Sequence, residues 1–182
     1  MSSGTASAVF NEFNRWHRSS VRDLLLVLVF IAGCAPEPAL VLGTGAIDFE
    51  DVEAGASLPI IQGPQGGFHL LASFLVVGVQ AGDRQNLGDE SNPSITLDVE
   101  HEGNSIILIS PFVQGLEEAP LSLRPWTHQL IGRFAILDIA VDDALDGETV
   151  TMSARVDDVH GVTVSDSVYV DLFPHPDNGS EF

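Results

Sequence analysis

The stretch that decides the fold is residues 149–157, which read Thr-Val-Thr-Met-Ser-Ala-Arg-Val-Asp. Every even-numbered position is apolar and every odd-numbered position is polar. Side chains alternate between the two faces of a strand, so this pattern is typical of a strand with one buried face. The same phase returns at 162–164 and 168–170, after the turn-forming residues 157–161. We therefore predict a β-hairpin in this part of the chain.

Two shorter patterns earlier in the chain indicate further strands. Residues 95–100 alternate in the same way, and a Gly103-Asn104 turn separates them from the apolar segment 105–109. This arrangement predicts a second hairpin. Residues 46–50 predict a weaker strand.

Two longer apolar runs, at 68–79 and 133–139, are compatible with buried helices on apolarity alone. Flanking glycines, β-branched residues and the neighbouring strand patterns favour central strands covered on both faces. Seven or so strands separated by turn signals predict an all-β protein with a single Ig-like antiparallel β-sandwich. A small barrel is the alternative architecture.

The composition is that of one folded, strongly acidic domain. The chain has 182 residues, of which 45% are apolar and 18% are charged. This is enough apolar material for a core. The 26 acidic residues outnumber the seven basic ones, all of which are Arg, and the net charge is -19. Nucleic acids and anionic membrane surfaces both require clustered cations, so the charge excludes them as general partners. The single cysteine excludes an intramolecular disulfide.

The N-terminus has the features of a secretory signal peptide. Three Arg residues within 1–23 precede an apolar run at 24–34 that ends in small residues. The run is too short to span a membrane, because a transmembrane helix needs about 20 apolar residues. Its last four residues, Ile31-Ala32-Gly33-Cys34, resemble the lipobox of bacterial prolipoproteins.

The prolipoprotein resemblance implies cleavage between Gly33 and Cys34 and lipidation of the Cys34 sulfur and of its new amino group. Lipid chains of this kind hold a protein at a membrane. Ala35 stands where an Asp would retain a lipoprotein at the inner membrane, so the resemblance implies the outer membrane or cell surface of a Gram-negative bacterium. A buried structural cysteine is the alternative interpretation of Cys34.

These patterns divide the chain into four parts. We expect a signal peptide at 1–33, a lipid-anchored unstructured tether at 34–43, the sandwich at 44–173 and a flexible tail at 174–182.

The most distinctive motif of the body precedes the first long apolar run. It reads Gly63-Pro64-Gln65-Gly66-Gly67-Phe68-His69 and resembles a signature of uncharacterised Gram-negative lipoproteins. In those lipoproteins a Gly-x-x-Val-x-x-x-x-x-Val-Asp hairpin closes the domain. The corresponding residues of this chain are Gly147, Val150, Val156 and Asp157. The resemblance implies a fold and a location, and no activity. Exposed glycine amides can bind an anion, but we favour a turn that leads into the strand. We expect His69 to be a partly buried ring rather than a metal ligand.

Acidic loops offer the best candidate metal site. Asp142, Asp143, Asp146 and Glu148 lie close together in sequence, and Ca²⁺ prefers carboxylate oxygens from such loops. A solvated acidic surface is the simpler interpretation. The histidines of the body lack the two- or four-residue spacings of zinc ligands, so weak Ca²⁺ binding is the only cofactor that we consider.

No catalytic motif is present in the sequence, neither a Gly-x-Ser-x-Gly elbow nor a P-loop nor a dinucleotide fingerprint. We therefore expect no enzyme. The predicted function is that of a lipid-anchored cell-envelope lipoprotein with a structural or protein-interaction role. Its partners are the membrane, reached through the lipid, and an envelope protein. The alternative is a periplasmic lipoprotein that binds Ca²⁺ or a small ligand through the acidic loops.

Overall fold

A computed structural model describes residues 36–179. The predicted signal peptide, the lipobox, Cys34 and residues 180–182 lie outside the described residues. Within 36–179, no helix is long and apolar enough to cross a membrane.

Seven strands of six residues or more build the fold, together with four two-residue strands and two short 3-10 helices at Leu121–Leu123 and Asp142–Leu145. The strands are β1 (Ala39–Thr44), β2 (Glu50–Asp51), β3 (Ala56–Gln62), β4 (Phe68–Val77), β5 (Ser94–His101), β6 (Asn104–Ser105), β7 (Phe112–Val113), β8 (Glu117–Glu118), β9 (His128–Leu137), β10 (Thr149–Asp157) and β11 (Thr163–Pro174). The predicted all-β, sandwich-like fold is confirmed.

Two groups of strands enclose one core. The first group contains β2, β1, β4, β9 and β8 in spatial order, and the second contains β11, β10 and β5, with β6 and β7 flanking β5. Strand β3 belongs to both groups, because residues 56–60 pair with β11 and residues 61–62 pair with β4. The core side chains come from both groups and include Phe74, Ile60, Ile95, Val150 and Leu172.

The alternation in residues 149–157 is confirmed in detail. Val150, Met152, Ala154 and Val156 are buried in β10, and the odd-numbered residues face outward. The hairpin with β11 runs from Asp157 opposite Thr163 to Thr149 opposite Asp171. Strand β4 is buried along nearly its whole length, as the first apolar run predicts.

One strand pair corrects the prediction of a purely antiparallel sandwich. Strand β3 runs parallel to β11 over residues 56–60 and 170–174. Alternation reports which face a side chain occupies and carries no information on strand direction, so the sequence pattern is compatible with either direction.

Both ends of the predicted domain also need correction. Strand β1 includes residues 39–43, which the predicted tether covered, because Leu40 and Leu42 alternate into the core. The predicted strand at 46–50 is wrong: Gly45 turns the chain with a φ of 107°, and Ile47 is 86% exposed.

The predicted flexible tail is wrong for residues 174–179. Pro174 still belongs to β11, and His175 donates a backbone hydrogen bond to Ile60. The Asn178 carboxamide accepts from the Gln62 amide at 2.8 Å and donates to the Asp142 carboxylate at 2.6 Å. Residues 175–179 therefore hold β3 against the 3-10 helix at Asp142–Leu145.

The second predicted hairpin is present but shorter than expected. The turn consists of Glu102 and Gly103, both with positive φ, as a two-residue hairpin turn requires. After β6 the chain leaves β5, and Ile107 bridges to Leu137 of β9 instead. This crossing brings residues 106–109 beside the C-terminal end of β9.

Candidate functional site

The glycine-rich motif forms the hairpin turn between β3 and β4. The Gly63 amide donates to the Gly67 carbonyl at 2.8 Å, and the Gly66 amide donates to the Gly63 carbonyl at 2.9 Å. Gly66 has a φ of 85°, which glycine adopts at little cost. Pro64 and Gln65 occupy the exposed tip. Two of the amides thus serve the turn itself, which favours the structural interpretation of the motif over an anion cradle.

A groove of about 490 Å³ opens beside this turn. The turn forms one wall, and side chains from β4 and β9 form the floor and the other wall. The lining residues are Gly63, Pro64, Gln65, Gly67, Phe68, His69, Phe134 and Ile136. None of them carries a formal charge when the histidine is neutral, so the groove is an apolar cavity with two polar side chains.

His69 is the polar group at the base of the groove. It is only 7% exposed, and its ring centroid lies 4.2 Å from that of Phe134 with the rings inclined at 41°. Burial lowers the pKa of His69 below its ordinary value, so the imidazole is neutral at pH 7. Within residues 36–179, neither of its ring nitrogens has a hydrogen-bond partner. The neutral ring therefore has one donor and one acceptor nitrogen without a partner, on a residue that lines the groove.

A β-bulge explains why Phe134 faces outward. On β4, Ala72 pairs with Arg133 and Phe74 pairs with Leu130, so two residues of β9 lie opposite Ser73. Before the bulge the even-numbered Leu130 is buried, whereas after it the odd-numbered Ala135 and Leu137 are buried. The extra residue inverts the alternation, and Phe134 and Ile136 therefore point away from the core.

The bulge is held by a buried hydroxyl. Ser73 is fully buried, accepts a hydrogen bond from the Gly132 amide at 2.9 Å and donates one to the Gly45 carbonyl at 3.0 Å. Gly132 has a φ of 64°, and a Cβ atom there would lie 2.6 Å from the Ala46 carbonyl oxygen. Only glycine fits this position without a shift of the backbone.

Exposed apolar side chains continue the groove along β9. A second cavity, of about 290 Å³, shares Phe134 and Ile136 with the groove and adds Ile109, Gly132 and Arg133. Leu108 lies next to them, since its amide donates to the Ile136 carbonyl. We call Leu108, Ile109, Phe134 and Ile136 the outer apolar surface. Leu108, Ile109 and Phe134 are 58%, 56% and 57% exposed, respectively.

A third cavity, of about 610 Å³, lies at the start of β9. Its lining combines apolar and charged groups, among them Leu121, Arg124 and Glu118. His128 also lines it; burial lowers the pKa of its imidazole, while the nearby Glu118 carboxylate acts in the opposite direction. The Thr127 hydroxyl lies 3.0 Å from Nδ1 of His128, so this ring, unlike His69, has a polar neighbour.

The four candidate Ca²⁺ ligands do not converge. The Asp142 carboxylate accepts from the Asn178 carboxamide, and that of Glu148 lies 3.2 Å from Nε2 of His101. Asp143 and Asp146 are exposed. In the part of the chain that the structure describes, no three carboxylate, histidine or cysteine side chains are grouped so as to hold a metal ion.

Sequence reasoning found one wall of the groove and missed the other. The motif at 63–69 contains both the turn and His69, which line the same groove. Phe134 and Ile136 belong to a run expected to be covered on both faces, and Phe134 is exposed instead. A signal was present, since Gly132 lies in the interior of β9 and a glycine inside a strand often marks a bulge.

The turn makes a direct prediction about stability. Gly66→Ala is expected to lower the free energy of unfolding by about 1 kcal/mol, because an L-residue is strained at this positive φ. Gly67→Ala is the matched control, since Gly67 has equally open surroundings and no positive φ. Urea unfolding of both variants measures the difference, and equal stabilities would contradict the turn geometry described above.

No protein-family model matches the chain, and no curated protein matches its sequence.

Proposed function

We propose that this protein is a lipid-anchored lipoprotein of the bacterial cell envelope that acts by binding another envelope protein. The anchor is supported by the order of Arg-rich segment, short apolar run and Ile31-Ala32-Gly33-Cys34. Strand β1 begins at Ala39, which leaves a tether of only a few residues after Cys34. In this proposal the lipid holds the sandwich at the outer membrane or cell surface.

The observation that carries the interaction role is the outer apolar surface. Monomeric soluble proteins rarely leave several large apolar side chains exposed side by side, and such clusters mark interaction sites. Here three neighbouring side chains, Leu108, Ile109 and Phe134, are each more than half exposed. They stand beside a groove rather than on a flat loop, so a partner side chain has a cavity to enter.

Pairing of strand edges is the less favourable way to bind a partner. β6 and β7 cover the two ends of the outer edge of β5. The free edge of β1 is capped because the Leu42 amide donates to the Asp166 carboxylate at 2.9 Å. β8 and residues 107–108 cover the two ends of the outer edge of β9, and the bulge interrupts the strand between them, which makes this edge a poor template for another strand. These features favour contact through side chains.

The anchor is tested by growth with a labelled fatty acid and fractionation of the membranes. The wild-type protein is expected to incorporate label, lose residues 1–33 and sediment with the outer membrane. Cys34→Ser is expected to do none of these, whereas Ala35→Ser keeps the thiol and serves as the control. A wild-type protein that remains unlabelled and soluble would exclude the lipoprotein proposal.

The interaction role is tested by photo-crosslinking in intact cells. A photoreactive residue at Ile109 is expected to give one discrete adduct of higher mass. Leu87, which is 69% exposed and lines none of the three cavities, is the control position. Adducts of equal intensity from both positions, or from neither, would show that the outer apolar surface is not an interface.

The acidic-loop alternative has less support. Asp142 and Glu148 are engaged by different residues, and no converging ligand set occurs among residues 36–179. Binding of Ca²⁺ there stays a prediction from the sequence.

A further inference from the structure

We propose that the groove beside residues 63–67 receives a neutral aromatic side chain with one hydrogen-bond donor, a tyrosine or tryptophan of the partner protein. The inference rests on the proposed function, because it names what the outer apolar surface contacts. It concerns a single ring held between Phe134 and the glycine-rich turn, with its donor directed to a ring nitrogen of His69.

The walls of the groove suit an aromatic ring. Phe134, Ile136 and Pro64 provide apolar contact, and the exposed Phe134 ring offers a face for stacked or edge-to-face packing. The volume of about 490 Å³ lies within the range of roughly 300–1,000 Å³ that is common for binding pockets. A large planar group fills such a space at a low cost in conformational entropy.

His69 selects for a hydrogen-bond donor. It is more than nine-tenths buried, lines the groove, and within residues 36–179 has no hydrogen-bond partner for its ring nitrogens. A neutral imidazole keeps one acceptor nitrogen, which a phenol hydroxyl or an indole N–H can satisfy. A purely aliphatic occupant would displace solvent from this nitrogen and offer nothing in return, which is unfavourable.

The charge of the protein selects against anions. None of the groove-lining residues is Arg, and the chain carries a net charge of -19. A carboxylate or phosphate would thus meet an unfavourable potential and no basic partner within the groove, because the nearest Arg, Arg133, lines the adjoining cavity and its guanidinium lies 4.2 Å from the centroid of the Phe112 ring. A lone imidazole also provides too few ligands for a metal ion. A neutral aromatic donor is the remaining class that uses every feature of the cavity.

The test uses the full chain with ¹⁵N-labelled histidine rings, followed by NMR during titration. N-acetyl-tyrosinamide and N-acetyl-tryptophanamide are expected to shift the ring resonances of His69 saturably. N-acetyl-leucinamide, which has no ring and no side-chain donor, is expected to leave them in place. The resonances of His101 and His160, which lie outside the groove, serve as internal references.

Two variants separate the contributions that the Phe134 ring and the His69 ring nitrogen make to binding. Phe134→Ala removes one wall and is expected to weaken binding of N-acetyl-tyrosinamide by roughly five- to tenfold. Phe173→Ala is the matched control, since Phe173 is 37% exposed on β11 and lines none of the three cavities. His69→Phe keeps a ring but no acceptor, and is expected to weaken binding by roughly tenfold.

Three results would overturn the inference. The first is the lack of a saturable shift with either aromatic amide in the wild-type protein, a result that does not depend on any variant folding. The second is equal binding of N-acetyl-leucinamide. The third is binding of free p-cresol without binding of N-acetyl-tyrosinamide, which would make the occupant a small molecule. Crosslinking at Ile109 reports on the outer apolar surface and fatty-acid labelling of Cys34 reports on the anchor, so failure of the proposed function is recognised separately from failure of the groove to bind an aromatic donor.

Discussion

Phe74→Ala is expected to lower the free energy of unfolding by about 4 kcal/mol, the middle of the range for phenylalanine truncations in cores. Phe74 is fully buried near the centre of β4, where it lies between Leu42 of β1 and Leu130 of β9. Strands β1 and β9 are paired with β4 on the two sides of Phe74. Their side chains therefore have little freedom to move into the space that the missing ring would leave. The variant therefore loses both the burial of the ring and the contacts around it.

Urea unfolding of the wild-type and variant proteins measures this loss. Phe134→Ala is the matched control, because it removes the same atoms from a ring that is 57% exposed, and it is expected to cost less than about 1 kcal/mol. Should Phe74→Ala not accumulate in folded form, Phe74→Leu is expected to retain the fold at a smaller cost. Equal losses at positions 74 and 134 would contradict the location of the core.

Asp158→Asn is expected to lower the free energy of unfolding by about 2–3 kcal/mol at pH 7. The Asp158 side chain is buried beside the β10–β11 turn and accepts backbone hydrogen bonds from Gln80 at 2.9 Å, His160 at 2.8 Å and Val162 at 2.9 Å. A carboxamide has only one acceptor oxygen, so its NH₂ group would face a backbone donor. The substitution thus weakens the turn and its connection to the end of β4.

The same carboxylate gives the protein a defined acid sensitivity. Burial acts to raise the pKa of Asp158, but the three backbone hydrogen bonds, together with the nearby His160, outweigh it and hold the pKa below its ordinary value. A carboxyl group whose folded pKa is lowered stabilises the fold above its unfolded pKa of about 4. This contribution is lost as the pH falls through the folded pKa.

Unfolding curves at several pH values between 7 and 2.5 test the sign of this effect. The stability difference between the wild-type protein and Asp158→Asn is expected to be largest above pH 5 and to shrink towards pH 2.5. Asp146→Asn is the control, since Asp146 is exposed and its removal is expected to give only a small difference in stability. A difference for Asp158→Asn that grows on acidification would contradict the assigned hydrogen bonds.

Local patterns predicted the parts of the fold that depend on local geometry. Alternation in residues 149–157 identified β10, its buried face and its hairpin, because each side chain reports its own face. The continuous apolar run identified β4 for the same reason. Neither pattern contains information on what lies across the core, and so the parallel neighbour of β3 was not predictable.

For a related reason, the sequence predicts the wall of the groove that the turn forms and not the wall that β9 forms. The motif at 63–69 encodes a turn in its own glycines, and its position before an apolar run places His69 on β4. Phe134 reaches the groove only because an extra residue at the bulge reverses the faces of β9. That reversal depends on the Ser73 hydroxyl, a contact between residues 59 positions apart that no local pattern records.

The placement of β3 beside the last strand has a consequence for protein synthesis. The ribosome releases β3 about 100 residues before β11, yet β3 pairs with β11 in the folded protein. The Gln62–Asn178 hydrogen bond, which spans 116 positions, forms only after Asn178 has been synthesised. A nascent or prematurely terminated chain therefore exposes two unpaired strand edges, which are substrates for chaperones, proteases and aggregation. Because β11 lies between β3 and β10, its pairing closes both edges and joins the two groups of strands.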